Sequence, residues 1–215
     1  MMREVCQSVK LLFAEDIKSA RRLFRTCGYS GDFSEIEILL LNEHTGTSEN
    51  HAFIQRLIHA GSGAIVSDAG IPCVADPGSE LVDLAHQHGI DILPMSGPSS
   101  IILTLAASGL HGQRFQFHGY LPKDPLERRK KIRQMEQDTA GGVTQIFMDT
   151  PYRNMQVLDD LLATCKKSLK ICIGCEVTTD RGFVKTKTIG EWINQRPELH
   201  KRPVIFAMGQ HTLVS

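Results

Sequence analysis

Residues Val66–Gly78 read VSDAGIPCVADPG, so an apolar strand runs directly into a turn rich in Asp, Gly and Pro. The strand is predicted at Gly63–Ser67, and the apolar spacing after Gly78 predicts a helix at Ser79–Gly89. In open α/β sheets, ligands bind beyond the carboxyl ends of the strands, where loop amides and helix N-termini offer unpaired donors. The segment therefore has the composition of a ligand-binding loop, and equally that of a tight turn between a strand and a helix.

The net charge of the chain excludes a protein that attracts polyanions over its whole surface. The 215 residues include 24 basic and 24 acidic side chains, so any nucleic-acid site must be local. No apolar run reaches the ~20 residues of a membrane-spanning helix, and the N-terminus MMREVCQ lacks a signal-peptide pattern. We therefore expect a cytoplasmic protein that does not associate with membranes.

The six cysteines show no paired metal-ligand spacing, so no metal site is predicted. Cys172 and Cys175 have the spacing of a redox motif. They lie in the apolar run Leu169–Val177, however, where residues three apart on a strand face opposite sides. We predict two buried structural thiols.

The first half of the chain alternates strand-like and helical patterns, which predicts a parallel α/β sheet. The predicted strands are Val9–Ala14, Ile36–Leu41, Gly63–Ser67 and Ile90–Pro94. The predicted helices are Ile17–Cys27, Asn50–Ala60, Ser79–Gly89 and Ser100–Ser108.

The character of the sequence changes from Phe115 onwards. A charged helix follows there, then the strands TQIFMDT, LKICIGCEV and PVIFAMG and the helix NMQVLDDLLATC. We therefore predict two α/β domains, residues 1–113 and 114–215. The short Gly112–Gln113 connection indicates that the domains touch and share a cleft.

Polar residues that follow the predicted strands are candidates for site chemistry. Glu15 and Asp16 follow the first strand and could orient a hydroxyl, and His44 follows the second and could accept a proton near neutral pH. For each, a helix cap or a surface position is an equally good interpretation. Ser96–Ser100, SGPSS, would either cap the next helix or present hydroxyls to a ligand, and it follows the predicted strand Ile90–Pro94 at the same sheet edge.

The segment Lys123–Arg133, KDPLERRKKIR, carries six basic and two acidic side chains. Such helical faces are usually only solvated. A phosphate backbone beside a catalytic cleft would nevertheless bind there, and Arg128, Arg129, Lys130 and Lys131 are the candidate RNA contacts.

Taken in order, these segments resemble the tetrapyrrole methylase superfamily of S-adenosylmethionine-dependent methyltransferases, and within it the ribosomal RNA small subunit methyltransferase I family. The block from Ser67 to Gly78 is the specific piece, and the other pieces add weight through their order. The matching pieces are Phe13–Asp16, Asn42–His44, Ser67–Pro72, Asp76–Gly78, Gly97–Pro98, Gly119–Pro122, Thr150–Arg153 and Glu176–Thr178.

The resemblance implies two α/β domains with S-adenosylmethionine bound in the cleft between them, usually in a homodimer. It implies a methyltransferase that acts on a ribose 2′-hydroxyl of ribosomal RNA in the small subunit. The implied donor-binding residues are Ser67, Asp68, Ala69, Gly70, Ile71, Pro72, Ser99 and Ser100, with Met148 and Val177 as further candidates. Two alternatives stay open: a methyltransferase for a small tetrapyrrole-like substrate, and a non-catalytic RNA-binding paralogue.

One departure from the family pattern concerns the N-terminus. Family members begin with a further strand that ends in a Pro/Gly-rich loop, whereas this chain starts past it, at MMREVCQSVKLLFAED. The resemblance therefore implies that the first strand is missing, either because the reading frame was opened at an internal methionine or because the protein lacks this element.

Overall fold

The computed structural model of the protein describes residues 2–210. The chain divides between Pro98 and Ser99 into two units, and each has its own β-sheet and its own hydrophobic clusters. The predicted α/β class is confirmed. Over the described range, none of the helices combines the length and the apolar character that a bilayer crossing requires.

The first unit is a three-stranded parallel sheet with the strand order β2-β1-β3. Its elements are α1 (Met2–Ser8), β1 (Leu11–Ala14), α2 (Ile17–Thr26), a 3-10 turn (Phe33–Glu35), β2 (Glu37–Leu40), α3 (Thr47–Ala60), β3 (Ala64–Val66) and α4 (Ser79–Gln87). The predicted strands and helices up to Ser79–Gly89 are found within a few residues of their expected bounds. Helix α1 was not predicted.

Strand β1 forms the centre of the first unit because its side chains are buried on both faces. Leu12 and Ala14 pack with α2 residues such as Phe24 on one face. Leu11 and Phe13 pack against α3 and α4 on the other. A strand that is apolar on both faces is expected in a parallel sheet covered by helices on both sides.

Ile90–Pro94, predicted as a fourth strand, is not part of either sheet in the described residues. Ile92 and Leu93 are exposed. An apolar run predicts an extended backbone, but a strand also needs a neighbour for its ladder hydrogen bonds, and the pattern says nothing about that neighbour. The expectation that Ser96–Ser100 leaves a strand at the edge of the first sheet is wrong for the same reason.

The second unit contains, in its described residues, a mixed five-stranded sheet with the order β4-β5-β8-β6-β7, in which β4 and β5 pair in parallel and the other neighbours are antiparallel. Its elements are α5 (Ser100–Ser108), β4 (Phe115–Tyr120), α6 (Pro125–Thr139), β5 (Thr144–Met148), α7 (Asn154–Thr164), β6 (Lys170–Cys175), β7 (Phe183–Thr188), α8 (Ile189–Asn194) and β8 (Val204–Gly209). Strand β7 and helix α8 were not predicted.

Helix α5 packs on the second sheet, although its sequence was assigned to the first domain. Ile101 and Leu105 form a cluster with Cys172, Ile205 and Ala207. The apolar face of this helix is buried against the second sheet. The spacing of apolar residues predicts such a face but does not indicate which sheet it will contact. The domain limits 1–113 and 114–215 stay a prediction.

The two cysteines with redox-motif spacing are both buried and free. Cys172 packs in the cluster on the α5 side of the sheet, and Cys175 packs in the cluster on the opposite side. The predicted pair of buried structural thiols is therefore confirmed.

Candidate functional site

The carboxyl ends of the three parallel strands meet at one edge of the first sheet. Ala14, the last residue of β1, lies beside Leu40 of β2 and Val66 of β3. The residues that follow these strands, beginning with Glu15, Leu41 and Ser67, therefore start at the same edge. This arrangement brings the predicted loop Ser67–Gly78 next to the carboxylate that follows β1.

Glu15 is the predicted acid–base candidate with the most unusual environment. It is half-buried, and its Oε1 atom is buried without a hydrogen-bond partner among the described residues. Burial, with Asp76 and Asp68 nearby, raises the pKa of the Glu15 carboxyl to about 7. A carboxyl group with a pKa near neutrality exchanges a proton readily at physiological pH, as a general base must.

The loop after β3 is held in shape by contacts among its own residues. The Ser67 hydroxyl donates to the Ala69 carbonyl at 3.3 Å. Burial is the main factor that raises the pKa of Asp76, and the nearby Ser67 side chain lowers it. Gly78 has φ +123, and a Cβ atom there would lie 2.9 Å from the Cys73 sulfur. Only glycine fits this position without displacing a neighbour.

Part of the same loop is open to a ligand. Asp68, Ala69 and Gly70 are exposed, and Ile71 and Pro72 are half-buried. Gly70 has φ +83, and a Cβ atom there would meet nothing within 4 Å. The backbone around Gly70 is therefore both left-handed and accessible, which lets a bound molecule approach the main chain closely.

Asp16 and His44, the other two acid–base candidates, have local structural roles. Asp16 caps α2 by accepting a 2.8 Å hydrogen bond from the Ser19 amide, which lowers the pKa of its carboxyl. His44 lies on a turn with its side chain 83% exposed, and its Nε2 atom is 3.7 Å from Glu43. Neither residue has a buried oxygen atom without a partner like the Oε1 atom of Glu15.

A hollow of about 400 Å³ lies at the same edge, between the turn after β2 and the start of α4. Asn50 lines it and is only 3% exposed. Its Nδ2 atom donates a 2.8 Å bond to Glu80, so its Oδ1 atom faces away from that carboxylate and has no partner in the described chain. The lining residues are Leu41, Asn42, Glu43, Thr45, Asn50, Ala75, Asp76, Pro77, Gly78, Ser79 and Glu80.

Asn50, Asp76 and Glu80 were not among the predicted site residues. Asn50 lies one helical turn before Ile54, which is buried, so it is a polar residue on the apolar face of α3. That mismatch was a usable signal in the sequence. The contact between Asn50 and Glu80 joins two helices and could not be predicted from local spacing.

The remaining donor candidates belong to the second unit. Ser99 is buried and caps α5 by accepting from the Ile102 amide, while Ser100 begins that helix and is exposed. Met148 ends β5, and Val177 follows the end of β6. Met148 and Gly174 both pair with Ile205, so these two strand ends lie at one edge of the second sheet, on either side of β8.

The basic helix α6 differs from its predicted role. Arg128 is 3% exposed, and its guanidinium binds Asp160 at 2.7 Å and the Lys123 carbonyl at 3.1 Å. Arg128 therefore holds α6 against α7 and is not available to a phosphate. Arg129 shares Asp160 at 2.6 Å, and Lys130 lies 3.8 Å from Glu127, so two further cations of this helix already have carboxylate partners.

The edge of the first sheet fits a sulfonium nucleotide such as S-adenosylmethionine. Burial and the charges of Asp76 and Asp68 raise the pKa of Glu15, and this group of carboxyl groups favours a positive charge nearby. Carboxylate and amide oxygens also accept hydrogen bonds from hydroxyl and amino groups. The open backbone at Gly70 gives such a ligand room against the main chain.

Two comparisons of the sequence agree with this chemistry. The family model described as Tetrapyrrole (Corrin/Porphyrin) Methylases matches residues 4–192. The chain is 35% identical over 171 residues to "Ribosomal RNA small subunit methyltransferase I" of Xylella fastidiosa, an alignment that covers 80% of this chain and 59% of the relative. It is 28% identical over 211 residues to the protein of the same name from Escherichia coli O157:H7, which covers 97% of this chain and 71% of the relative.

The fold also has a counterpart among solved structures. The chain is similar to the structure of the methyltransferase CobJ, with a TM-score of 0.62 and 14% sequence identity, over 94% of this chain and 84% of that chain. At this identity the likeness concerns the fold alone.

Proposed function

The chain belongs to the tetrapyrrole (corrin/porphyrin) methylases, and from this premise we propose that it is an S-adenosylmethionine-dependent methyltransferase that acts on ribosomal RNA of the small subunit. We further propose that the acceptor is a ribose 2′-hydroxyl. The names of the relatives support the RNA substrate. The observation that carries the proposal is the half-buried Glu15 beside the open loop at Ser67–Pro72.

The loop Ser67–Pro72 would hold the methyl donor in the first unit, with Asp68 and the backbone around Gly70 as its contacts. When bound, S-adenosylmethionine supplies an electrophilic methyl group on a positively charged sulfur. Ser99, Ser100, Met148 and Val177 stay proposed donor-binding residues of the second unit.

Glu15 would accept the proton of the ribose hydroxyl. A hydroxyl group is a poor nucleophile at neutral pH, and a positioned base contributes about 10²–10⁴-fold to such a step. The pKa of Glu15 near 7 leaves a useful fraction of the carboxyl ionised while keeping it basic enough to take a proton. The Oε1 atom is buried without a hydrogen-bond partner among the described residues, and this burial disfavours the ionised carboxylate and so makes it more basic.

Donor binding is tested by titration calorimetry with S-adenosylmethionine. The protein should bind the donor, and Gly70→Val should weaken binding because the branched side chain occupies the open space beside the backbone. An absence of heat at millimolar donor would remove the methyltransferase proposal.

Methyl transfer is tested by incubating small ribosomal subunits with donor that carries a radioactive methyl group. Ribose methylation should appear as a site resistant to alkaline cleavage of the RNA. Glu15→Gln should lose about 10²–10⁴-fold in kcat. Asp16→Asn is the matched control, because asparagine also caps a helix and should keep nearly full activity.

A second candidate function replaces RNA with a small tetrapyrrole-like substrate, and the description of the matching family favours it. The same radioactive donor then labels a corrin or porphyrin and not the ribosomal subunit. A non-catalytic RNA-binding paralogue would bind RNA and transfer no label.

The homodimer expected from the resemblance stays a prediction that light scattering tests, and the expected cytoplasmic location follows from a ribosomal substrate.

A further inference from the structure

A groove of about 310 Å³ lies in the second unit, where strand β7 meets helix α8. Among the described residues, its lining contains three cations and no acidic side chain. The lining residues are Phe183, Lys185, Lys187, Trp192, Gln195, Arg196 and Pro197.

Lys185 and Lys187 share one face because they are two residues apart on β7, which lies at the edge of the described sheet beside β6. Thr186 points to the opposite face, where its hydroxyl donates to the Ser108 carbonyl at 2.7 Å. Alternation along the strand then places Phe183, Lys185 and Lys187 on the groove side, with the two lysines about 6.7 Å apart along the chain.

The ammonium groups of the groove are positioned by aromatic rings. Lys187 lies 5.0 Å from the ring centre of Trp192 and also donates to Gln195. Lys185 lies 5.6 Å from the ring centre of Phe183. Across residues 2–210, neither lysine has a carboxylate within 4 Å, whereas Arg196 pairs with Asp159. Both lysines are therefore held in place without a direct ion pair in the described chain, although the charge of Lys187 also helps to lower the pKa of the Glu191 carboxyl.

We propose that this groove binds the phosphate backbone of the RNA substrate, with Lys185 and Lys187 as the phosphate contacts. The inference rests on the proposed function, and it places the RNA contacts at β7 and α8. Two observations favour this surface over helix α6. The protein has no net charge, so a groove lined by three cations, with no acidic residue among its described lining, is a local site for a polyanion. On α6, Arg128 is buried and both Arg129 and Lys130 have carboxylate partners, so three of its five basic side chains are engaged, whereas Lys131 and Arg133 have no carboxylate within 4 Å in the described chain.

The test is fluorescence anisotropy of the full-length protein with a labelled single-stranded RNA over a range of salt concentrations. Lys185→Glu with Lys187→Glu should raise Kd by about tenfold or more and lower the salt slope by roughly 1.4, because each lost contact to a single strand removes about 0.7. Lys18→Glu with Arg22→Glu makes the same charge change on exposed residues of α2 and should leave both quantities nearly unchanged. Lys130→Glu with Lys131→Glu measures the contribution of α6.

Thermal melting and calorimetry with S-adenosylmethionine check that each variant is folded, and Lys185→Gln with Lys187→Gln replaces the charge reversal if that variant does not fold. If the groove variant binds RNA as tightly as the wild type and still binds the donor, the groove is not the RNA-binding surface, while the proposed function stands. Wild-type protein that transfers methyl groups but binds no RNA overturns both. Competition by polyglutamate as strong as that by RNA assigns the groove to an acidic protein segment and overturns the proposal.

Discussion

Glu15 shows how one side chain acquires unusual chemistry from its neighbours. Its raised pKa comes first from burial and then from the charges of Asp76 and Asp68 in the loop after β3. Asp16, the next residue in the chain, has its pKa lowered because the start of α2 donates to it. The pKa values of two adjacent carboxyl groups are thus shifted in opposite directions by their surroundings.

The raised pKa of Glu15 predicts a dependence of stability on pH. The folded state binds this proton more tightly than the unfolded state, whose pKa is near 4.5, so stability should fall as pH rises from about 4.5 through about 7. Glu15→Gln should remove this dependence. Between pH 4 and pH 8, the free energy of unfolding of the variant should therefore rise relative to that of the wild type by on the order of 1 kcal/mol, after allowance for solvent screening. Urea unfolding at both pH values measures it. If the two proteins differed in free energy of unfolding by the same amount at pH 4 and at pH 8, the predicted pKa shift of Glu15 would be contradicted.

Gly78 and Gly70, both in the loop Ser67–Gly78, form a matched pair that distinguishes backbone strain from crowding by a new Cβ atom. Gly78→Ala should destabilise the protein by about 2–4 kcal/mol, because its φ is +123 and the new Cβ atom would meet the Cys73 sulfur at 2.9 Å. Gly70→Ala should cost only about 1 kcal/mol, since φ is +83 but the space is open. If urea unfolding showed the same loss of free energy of unfolding for both variants, the predicted contact between the new Cβ atom and the Cys73 sulfur would be contradicted. Adding Cys73→Ala to Gly78→Ala should recover part of the loss.

At the scale of elements, helix α6 is joined to α7 by a buried ion pair and not by apolar contacts alone. Asp160 on α7 accepts from Arg128 at 2.7 Å and from Arg129 at 2.6 Å. Ile132 and Met135 on the same side of α6 are fully buried. The abundance of basic residues on this helix therefore serves packing as well as solvation.

Removing the acidic partner should be costly. Asp160→Asn leaves the Arg128 charge buried without its counter-charge and should lower the free energy of unfolding by about 3–5 kcal/mol. Arg129→Ala removes a side chain that is 48% exposed and should cost less than about 1 kcal/mol. Urea denaturation of both variants provides the measurement. A small effect of Asp160→Asn would mean that Arg128 reaches water.

At the scale of the whole molecule, each unit contains its own core. Two clusters cover the two faces of the first sheet, and two others cover the two faces of the second. Helix α5 contributes Ile101 and Leu105 to the second of these cores, although it follows the first unit directly in the chain.

This division predicts how fragments behave. A fragment of residues 99–215 should fold with a cooperative urea transition, because it keeps both clusters of the second sheet. A fragment of residues 114–215 lacks α5 and should be less stable by about 3 kcal/mol or more, since Ile101 and Leu105 no longer cover Ile205 and Ala207. Equal stability of the two fragments would place the domain boundary near residue 114.

The sequence alone determined the features that depend on local periodicity and on motif order. These include the parallel strands β1 to β3 with their helices, the opposite faces of Cys172 and Cys175, and the family with its loop at Ser67–Gly78. Such features are encoded within a few turns or strands of the chain.

Only the tertiary structure decided which residues meet across long separations. It placed Asp76 beside Glu15, buried Arg128 against Asp160, and left Ile90–Pro94 outside the sheets. It also assembled the basic groove from β7 and α8, which no pattern had predicted. Burial and pairing set the charge state and availability of each group, and both depend on neighbours that the local sequence does not specify.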